Sequence, residues 1–86
     1  MEKDAVIDTL KAFLAKEMLE GDAEGLEADT PLLDLGVINS MSIVLLSGFV
    51  ERTWGLSVPQ SQLTVKNLAS LERIAEMVLR LSGARA

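Results

Sequence analysis

Among the 86 residues there is no histidine and no cysteine. A serine in this chain therefore has no imidazole to deprotonate it, and no thiol can serve as nucleophile or soft metal ligand. A lysine could stand in as base, yet nothing in the sequence places Lys66 or any other lysine beside a candidate serine. That weakens any hydrolase or transferase reading and favours chemistry done to the protein by others. The position that invites it is Ser40, in Gly36-Val37-Ile38-Asn39-Ser40-Met41, where an irregular segment turns into an apolar helix. Serine is a preferred N-cap, so Ser40 is expected to satisfy an orphan backbone N–H there. From the same place its hydroxyl can be offered to something outside the domain. Ser42 and Ser47 lie further into the helix, where a serine hydroxyl tends to bond back to the backbone, and both read as structural.

The segment Thr30-Pro31-Leu32-Leu33-Asp34-Leu35-Gly36-Val37-Ile38-Asn39-Ser40-Met41-Ser42-Ile43-Val44 resembles the attachment region of acyl and peptidyl carrier proteins, and the resemblance extends over nearly the whole chain. It implies an all-α fold, a four-helix bundle of three longer helices and one short one, forming a single carrier domain over residues 1–86. It also implies that 4′-phosphopantetheine from coenzyme A is esterified to Ser40, with an acyl or aminoacyl group held as a thioester on the arm's thiol. Catalysis would then belong to the partners: a phosphopantetheinyl transferase, an adenylating enzyme that loads the arm, and downstream tailoring or acyl-transfer enzymes. A helix start suits such a site, because its free N–H groups and positive dipole end favour a phosphate by about 0.3 to 1 kcal/mol. The chain departs from the fatty-acid type in three ways. Gly36 stands four residues before the serine where many members have it three before, Asn39 replaces the usual aspartate, and Leu45 and Gly48 lie on a face that is often acidic. The second departure weighs against a magnesium contact by the aspartate, and the third against partners that read acidic residues. Gly-Val-Ile-Asn-Ser-Met-Ser-Ile-Val is instead similar to free-standing peptidyl carriers of natural-product pathways, particularly those loaded with proline that is then oxidised to a pyrrole-2-carboxyl thioester. That points to non-ribosomal peptide or antibiotic biosynthesis. Three alternatives stay open at this level: a carrier of a fatty-acid or polyketide pathway, a small helical adapter in which Ser40 is only a cap, and, most distantly, an enzyme with Ser40 as its own nucleophile.

Charge narrows the partners. The formal net charge is −5, which argues against a nucleic-acid binder that must neutralise phosphates. Residues 1–39 hold ten acids against three lysines, whereas residues 40–86 hold three acids against five bases. Such an acidic half is as readily a solvated face as a docking surface. The start Met1-Glu2-Lys3-Asp4 is polar, and no apolar run approaches the ~18 residues of a membrane span. A soluble cytoplasmic monomer is expected, and the absence of cysteine suits a reducing compartment.

The elements that must position Ser40 are legible from periodicity. Val6, Ile7, Leu10, Phe13, Leu14 and Met18 predict a first helix from Lys3 to Leu19, ended by Gly21. From Gly21 to Asn39 the chain lacks sustained periodicity. Within it, Thr30 before Pro31 predicts one tight turn to Leu35 closed by Gly36. Leu26, Leu32, Leu33, Leu35, Val37 and Ile38 are too apolar for a solvated linker, so several should dock on the bundle. A second helix is predicted over Met41 to Trp54, with Ile43, Leu46, Ser47, Val50 and Trp54 toward the core. That leaves Met41, Val44, Leu45 and Gly48 on the outer face, which the resemblance makes a partner surface together with Asn39. Val58-Pro59 breaks the helix, and Pro59 to Asn67 reads as one or two short helical turns. Ser70 predicts the cap of a last helix over Leu71 to Leu81, with Leu71, Ile74, Ala75, Val78 and Leu81 inward, and Gly83 ends the regular structure before a frayed Ala84 to Ala86.

Overall fold

A computed structural model describes residues 2–18 and 26–83. Among the described residues four α-helices follow one another: α1 (Lys3–Met18), α2 (Ser40–Trp54), the short α3 (Val65–Leu68) and α4 (Leu71–Leu81), with a 3-10 turn at Gln60–Gln62 before α3. The all-helical bundle with one short member is the architecture the sequence predicts. Among the described residues no helix is long and apolar enough to cross a membrane. The expected end of α1 at Gly21 and the fraying of the last three residues lie outside the described residues, as does the side chain of Met18.

α1 buries Val6, Leu10 and Leu14, spaced four apart so that they stack on one face, and half-buries Ile7 and Phe13 beside them. This stripe packs against α4, whose Leu71, Ile74, Ala75, Met77 and Val78 are buried. Met77 is buried as well although the sequence reading left it out; α4 packs against α3 in addition to α1. A polar tie aligns the two helix starts: the Lys3 ammonium lies 3.2 Å from both Glu72 and Glu76. α2 runs antiparallel to α1, so that Glu17 shares a groove with Val44 and Leu45 while Asp8 and Thr9 share its continuation with Phe49 and Arg52. Phe13 and Phe49 stack across this junction at 4.1 Å between ring centroids, and Trp54 meets Phe49 edge-on.

The inward face of α2 is rotated slightly from the expected one. Leu46 and Val50 are buried as predicted, but the third buried residue is Ser42, and Ile43, Ser47 and Trp54 are only half-buried. Phe49 takes inward space that the wheel had assigned to Ser47, since its stacking partner sits on α1.

Between α1 and α2 the segment from Leu26 to Asn39 is pinned rather than floating. Leu26, Leu32 and Ile38 are buried, and Leu33 and Val37 are half-buried. Leu35, expected to dock with them, is 65% exposed. Two long-range backbone bonds hold the segment to the start of α4. Leu32 N–H donates to the Ala69 carbonyl at 2.9 Å, and Glu72 N–H donates to the Ala28 carbonyl at 3.0 Å. The second of these satisfies one of α4's orphan donors, while the Ser70 hydroxyl, the predicted cap, accepts from Arg73 N–H. The predicted turn is present: Leu35 N–H reaches the Pro31 carbonyl and Val37 N–H the Leu32 carbonyl, with Gly36 in the left-handed region at φ 71°. The Thr30 hydroxyl oxygen accepts from Glu27 N–H at 2.7 Å.

Candidate functional site

Ser40 is reached by building forward from that turn. Gly36 reverses the chain, Ile38 is buried and anchors it, and Asn39 adopts an extended conformation at φ −140° and ψ −173°. Extended geometry immediately before helical geometry defines the cap, and so Asn39 caps α2, not Ser40 as the sequence reading expected. Asparagine and serine are nearly equal as caps, so residue type could not decide between neighbours. Burial of Ile38 and the company of Ser42 decide it. The Asn39 Oδ1 accepts from Met41 N–H at 3.0 Å, from Ser42 N–H at 3.1 Å and from the Ser42 hydroxyl at 3.3 Å, while its carbonyl accepts from Ile43 N–H at 2.8 Å.

Ser40 is consequently the first residue of the helix, exposed, and its hydroxyl makes no hydrogen bond among the described residues. The other two serines of α2 are engaged. Ser42 is buried and donates to Asn39, and the Ser47 hydroxyl donates to the Val44 carbonyl at 2.9 Å. Both are structural in the sense the sequence suggested, although Ser42 bonds a side chain where a backbone carbonyl was expected. The cap also changes the electrostatics. Met41, Ser42 and Ile43 N–H groups already have acceptors, so a phosphate on Ser40 would find only the Ser40 N–H and the field of the helix axis, not an open cradle of donors. From Leu35 to Val50 there is no ionisable residue at all. The nearest carboxylate further along α2, Glu51, is occupied by Val58 N–H at 2.8 Å.

Around Ser40 lies an uncovered apolar face. Met41 is 79% exposed, Val44 69% and Leu45 54%, as the wheel predicted. Gly48 is only half-buried at the edge of this face, in a groove of about 180 Å³ shared with Phe13, Glu17 and Arg52. Two further exposed apolar residues were not anticipated, Leu35 in the loop and Val65 at the start of α3. Their signal was available: each is a lone large apolar residue between a polar or acidic neighbour and a glycine or lysine, in Asp34-Leu35-Gly36 and Thr64-Val65-Lys66.

A free serine hydroxyl at a helix start, with a docked loop before it and an apolar face after it, is matched over residues 8–78 by the family described as the phosphopantetheine attachment site. The chain belongs to that family. It is a carrier protein, and its prosthetic group is a covalently held 4′-phosphopantetheine. The carrier is similar to the probable acyl carrier protein PigG of Serratia sp. (strain ATCC 39006), with 28% identity over 70 residues, covering 81% of this chain and 80% of the relative. It is also similar to a chain of a solved structure titled "Crystal structure of FAD-dependent dehydrogenase", at 30% identity and a TM-score of 0.74. That match covers 80% of this carrier and 97% of the other chain, so the two are of similar size. Carriers of this family are generally non-catalytic and work with a phosphopantetheinyl transferase and biosynthetic enzymes.

Proposed function

We propose that Ser40 carries the arm, within a single carrier domain spanning residues 1–86. The observation that carries this is the contrast along α2: Ser42 and Ser47 have their hydroxyls bonded, while that of Ser40 is exposed and free. A transferase needs a hydroxyl that can enter its own active site, and Ser40 can do so without breaking any native contact. Transfer forms a bond from Ser40 Oγ to the pantetheine-side phosphorus of coenzyme A and releases adenosine 3′,5′-bisphosphate, the serine proton passing to a base of the transferase. When attached, the arm supplies a thiol on which an acyl or aminoacyl group rides as a thioester. The protein's own part is tethering, which raises the concentration of that group at each partner.

The cargo we propose is prolyl, oxidised on the arm to pyrrole-2-carboxyl, in a natural-product pathway of the non-ribosomal peptide type. Two features support it: the Gly36 to Val44 motif, and the likeness to a carrier-sized chain in a structure titled as an FAD-dependent dehydrogenase. Conversion of a prolyl to a pyrrolyl ring removes hydrogens in two successive two-electron steps, and a flavin accepts each pair. The loading partner is then an adenylating enzyme and the next partner a flavin-dependent dehydrogenase. Asn39, Met41, Val44, Leu45 and Gly48 form the surface they read, an apolar one suited to partners that do not seek acidic side chains. The domain acts as a monomer in the cytoplasm.

Incubation with coenzyme A and a broad-specificity transferase should add the mass of one arm, and Ser40→Ala should add none. An unchanged wild-type mass beside an active control overturns the assignment. Offering the loaded protein a panel of amino acids with its adenylating enzyme tests the cargo, and acceptance of another acid in preference to proline decides against it.

A further inference from the structure

Ser42 is one of only two buried polar residues among those described, at 5% exposure, and its hydroxyl points back along the helix to the Asn39 side chain. A buried hydroxyl with an apolar alternative of nearly the same size needs a reason to be there. Asn39 already accepts two backbone N–H groups, which is all that capping requires. The third donor does something the cap does not need. It adds a side-chain bond to the two backbone bonds on Oδ1 and so ties the cap to the buried face of α2. Residues 39 and 42 bracket Ser40, so locking one to the other locks the backbone between them and with it the direction of the Ser40 Cα–Cβ bond.

We infer that Ser42 is a positioning residue for arm transfer: through its hydrogen bond to Asn39 it holds Ser40 in the orientation that the transferase attacks. The inference rests on Ser40 being the acceptor. Ser42 cannot be touched by the transferase, since it is buried on the inward face of α2, and any effect of changing it on transfer must travel through Asn39 and the helix start. Asn39 is exposed and could be contacted directly, so it alone would not make the distinction.

The test is steady-state transfer of the arm from coenzyme A, with the apo carrier as varied substrate, for wild type, Ser42→Ala, Asn39→Ala, the double variant and Asn39→Asp. Each is assayed well below its own unfolding midpoint. Ser42→Ala should lower kcat about tenfold with KM for the carrier unchanged, short of the roughly hundredfold that an ångström's misplacement can cost. In the Asn39→Ala background the same change should do nothing further, because the bond it removes is already gone. Asn39→Asp keeps an oxygen for all three donors and should leave the backbone at Ser40 and Met41 as ordered as in the wild type. Backbone ¹⁵N order parameters of the apo proteins give a readout independent of turnover: Ser40 and Met41 should loosen in Ser42→Ala while the middle of α2 does not. Wild type that takes up no arm sinks the Ser40 assignment itself. Wild type that is modified while Ser42→Ala transfers at an equal rate, or with an equal loss in both Asn39 backgrounds, overturns the positioning role alone.

Discussion

Replacing Asn39 and Ser40 one at a time by alanine separates the capping residue from the proposed attachment residue. Asn39→Ala deletes an acceptor that serves Met41 N–H, Ser42 N–H and the Ser42 hydroxyl. Loss of a cap costs about 1 kcal/mol, and a buried hydroxyl left without an acceptor costs about 1 kcal/mol or more. The sum is about 2 kcal/mol. At roughly 4–8 °C per kcal/mol for a domain of this size, the midpoint should fall by about 8–16 °C. Ser40→Ala deletes a hydroxyl that bonds nothing among the described residues and puts the best helix former at the first helical position. Its effect should stay within about 0.5 kcal/mol in either direction. Thermal and urea unfolding of the apo protein followed by circular dichroism, with Trp54 fluorescence as second probe, measure the midpoints and the free energies. Ser42→Ala refines the reading: in that background Asn39→Ala should cost only the cap, so the two changes couple by about 1 kcal/mol. Equal losses for Asn39→Ala and Ser40→Ala would refute the cap assignment. An additive double variant would refute the hydrogen bond from Ser42.

Three other outcomes follow from the same structure. Hydrogen bonding to Lys3 holds the Glu76 carboxyl below its ordinary value of 4.5, and bonds to Glu76 and Glu72 hold the Lys3 ammonium above 10.5. The depressed acid stabilises above its unfolded value and the raised base below its own, so this contribution is present between about pH 4.5 and 10.5, fades as pH falls through the folded Glu76 value, and fades again as pH rises through that of Lys3. Lys3→Met should flatten the acid limb of a stability-versus-pH curve, modestly because these groups are partly exposed. Leu32→Ala removes a fully buried side chain beside the Leu32 to Ala69 backbone bond and should cost about 2–5 kcal/mol by chemical denaturation, with faster amide exchange at Glu72. Val44→Asp changes a 69% exposed residue, so it should leave stability within about 0.5 kcal/mol while weakening loading by the proposed adenylating partner, read as a rise in KM for the carrier.

Much of this molecule is local, and local features are what a sequence displays. The 3.6-residue spacing of Val6, Leu10 and Leu14 makes α1 amphipathic whatever it packs on. Ser70 caps α4 as read because no other capping residue adjoins it, whereas at α2 Asn39 and Ser40 stand side by side and equal propensities leave the choice to the chain's path. The motif from Gly36 to Val44 carried the resemblance to carrier proteins, and the lack of imidazole and thiol weakened any reading of a serine as a nucleophile of its own.

Tertiary structure alone decided the rest, because it depends on residues far apart in the chain. The Leu26 to Asn39 segment is held by bonds to Ala69 and Glu72, which no pattern within the segment contains. Leu35 is expelled while Leu32 is buried, since a tight turn can send only some of its leucines inward. The inward rotation of α2 follows from Phe49 finding Phe13 on α1, and that rotation puts Ser42 inside, where its hydroxyl meets Asn39. The sequence alone determined that a serine hydroxyl stands at the start of α2; packing from α1 and α4 decided which residue caps the helix and which hydroxyl is left free.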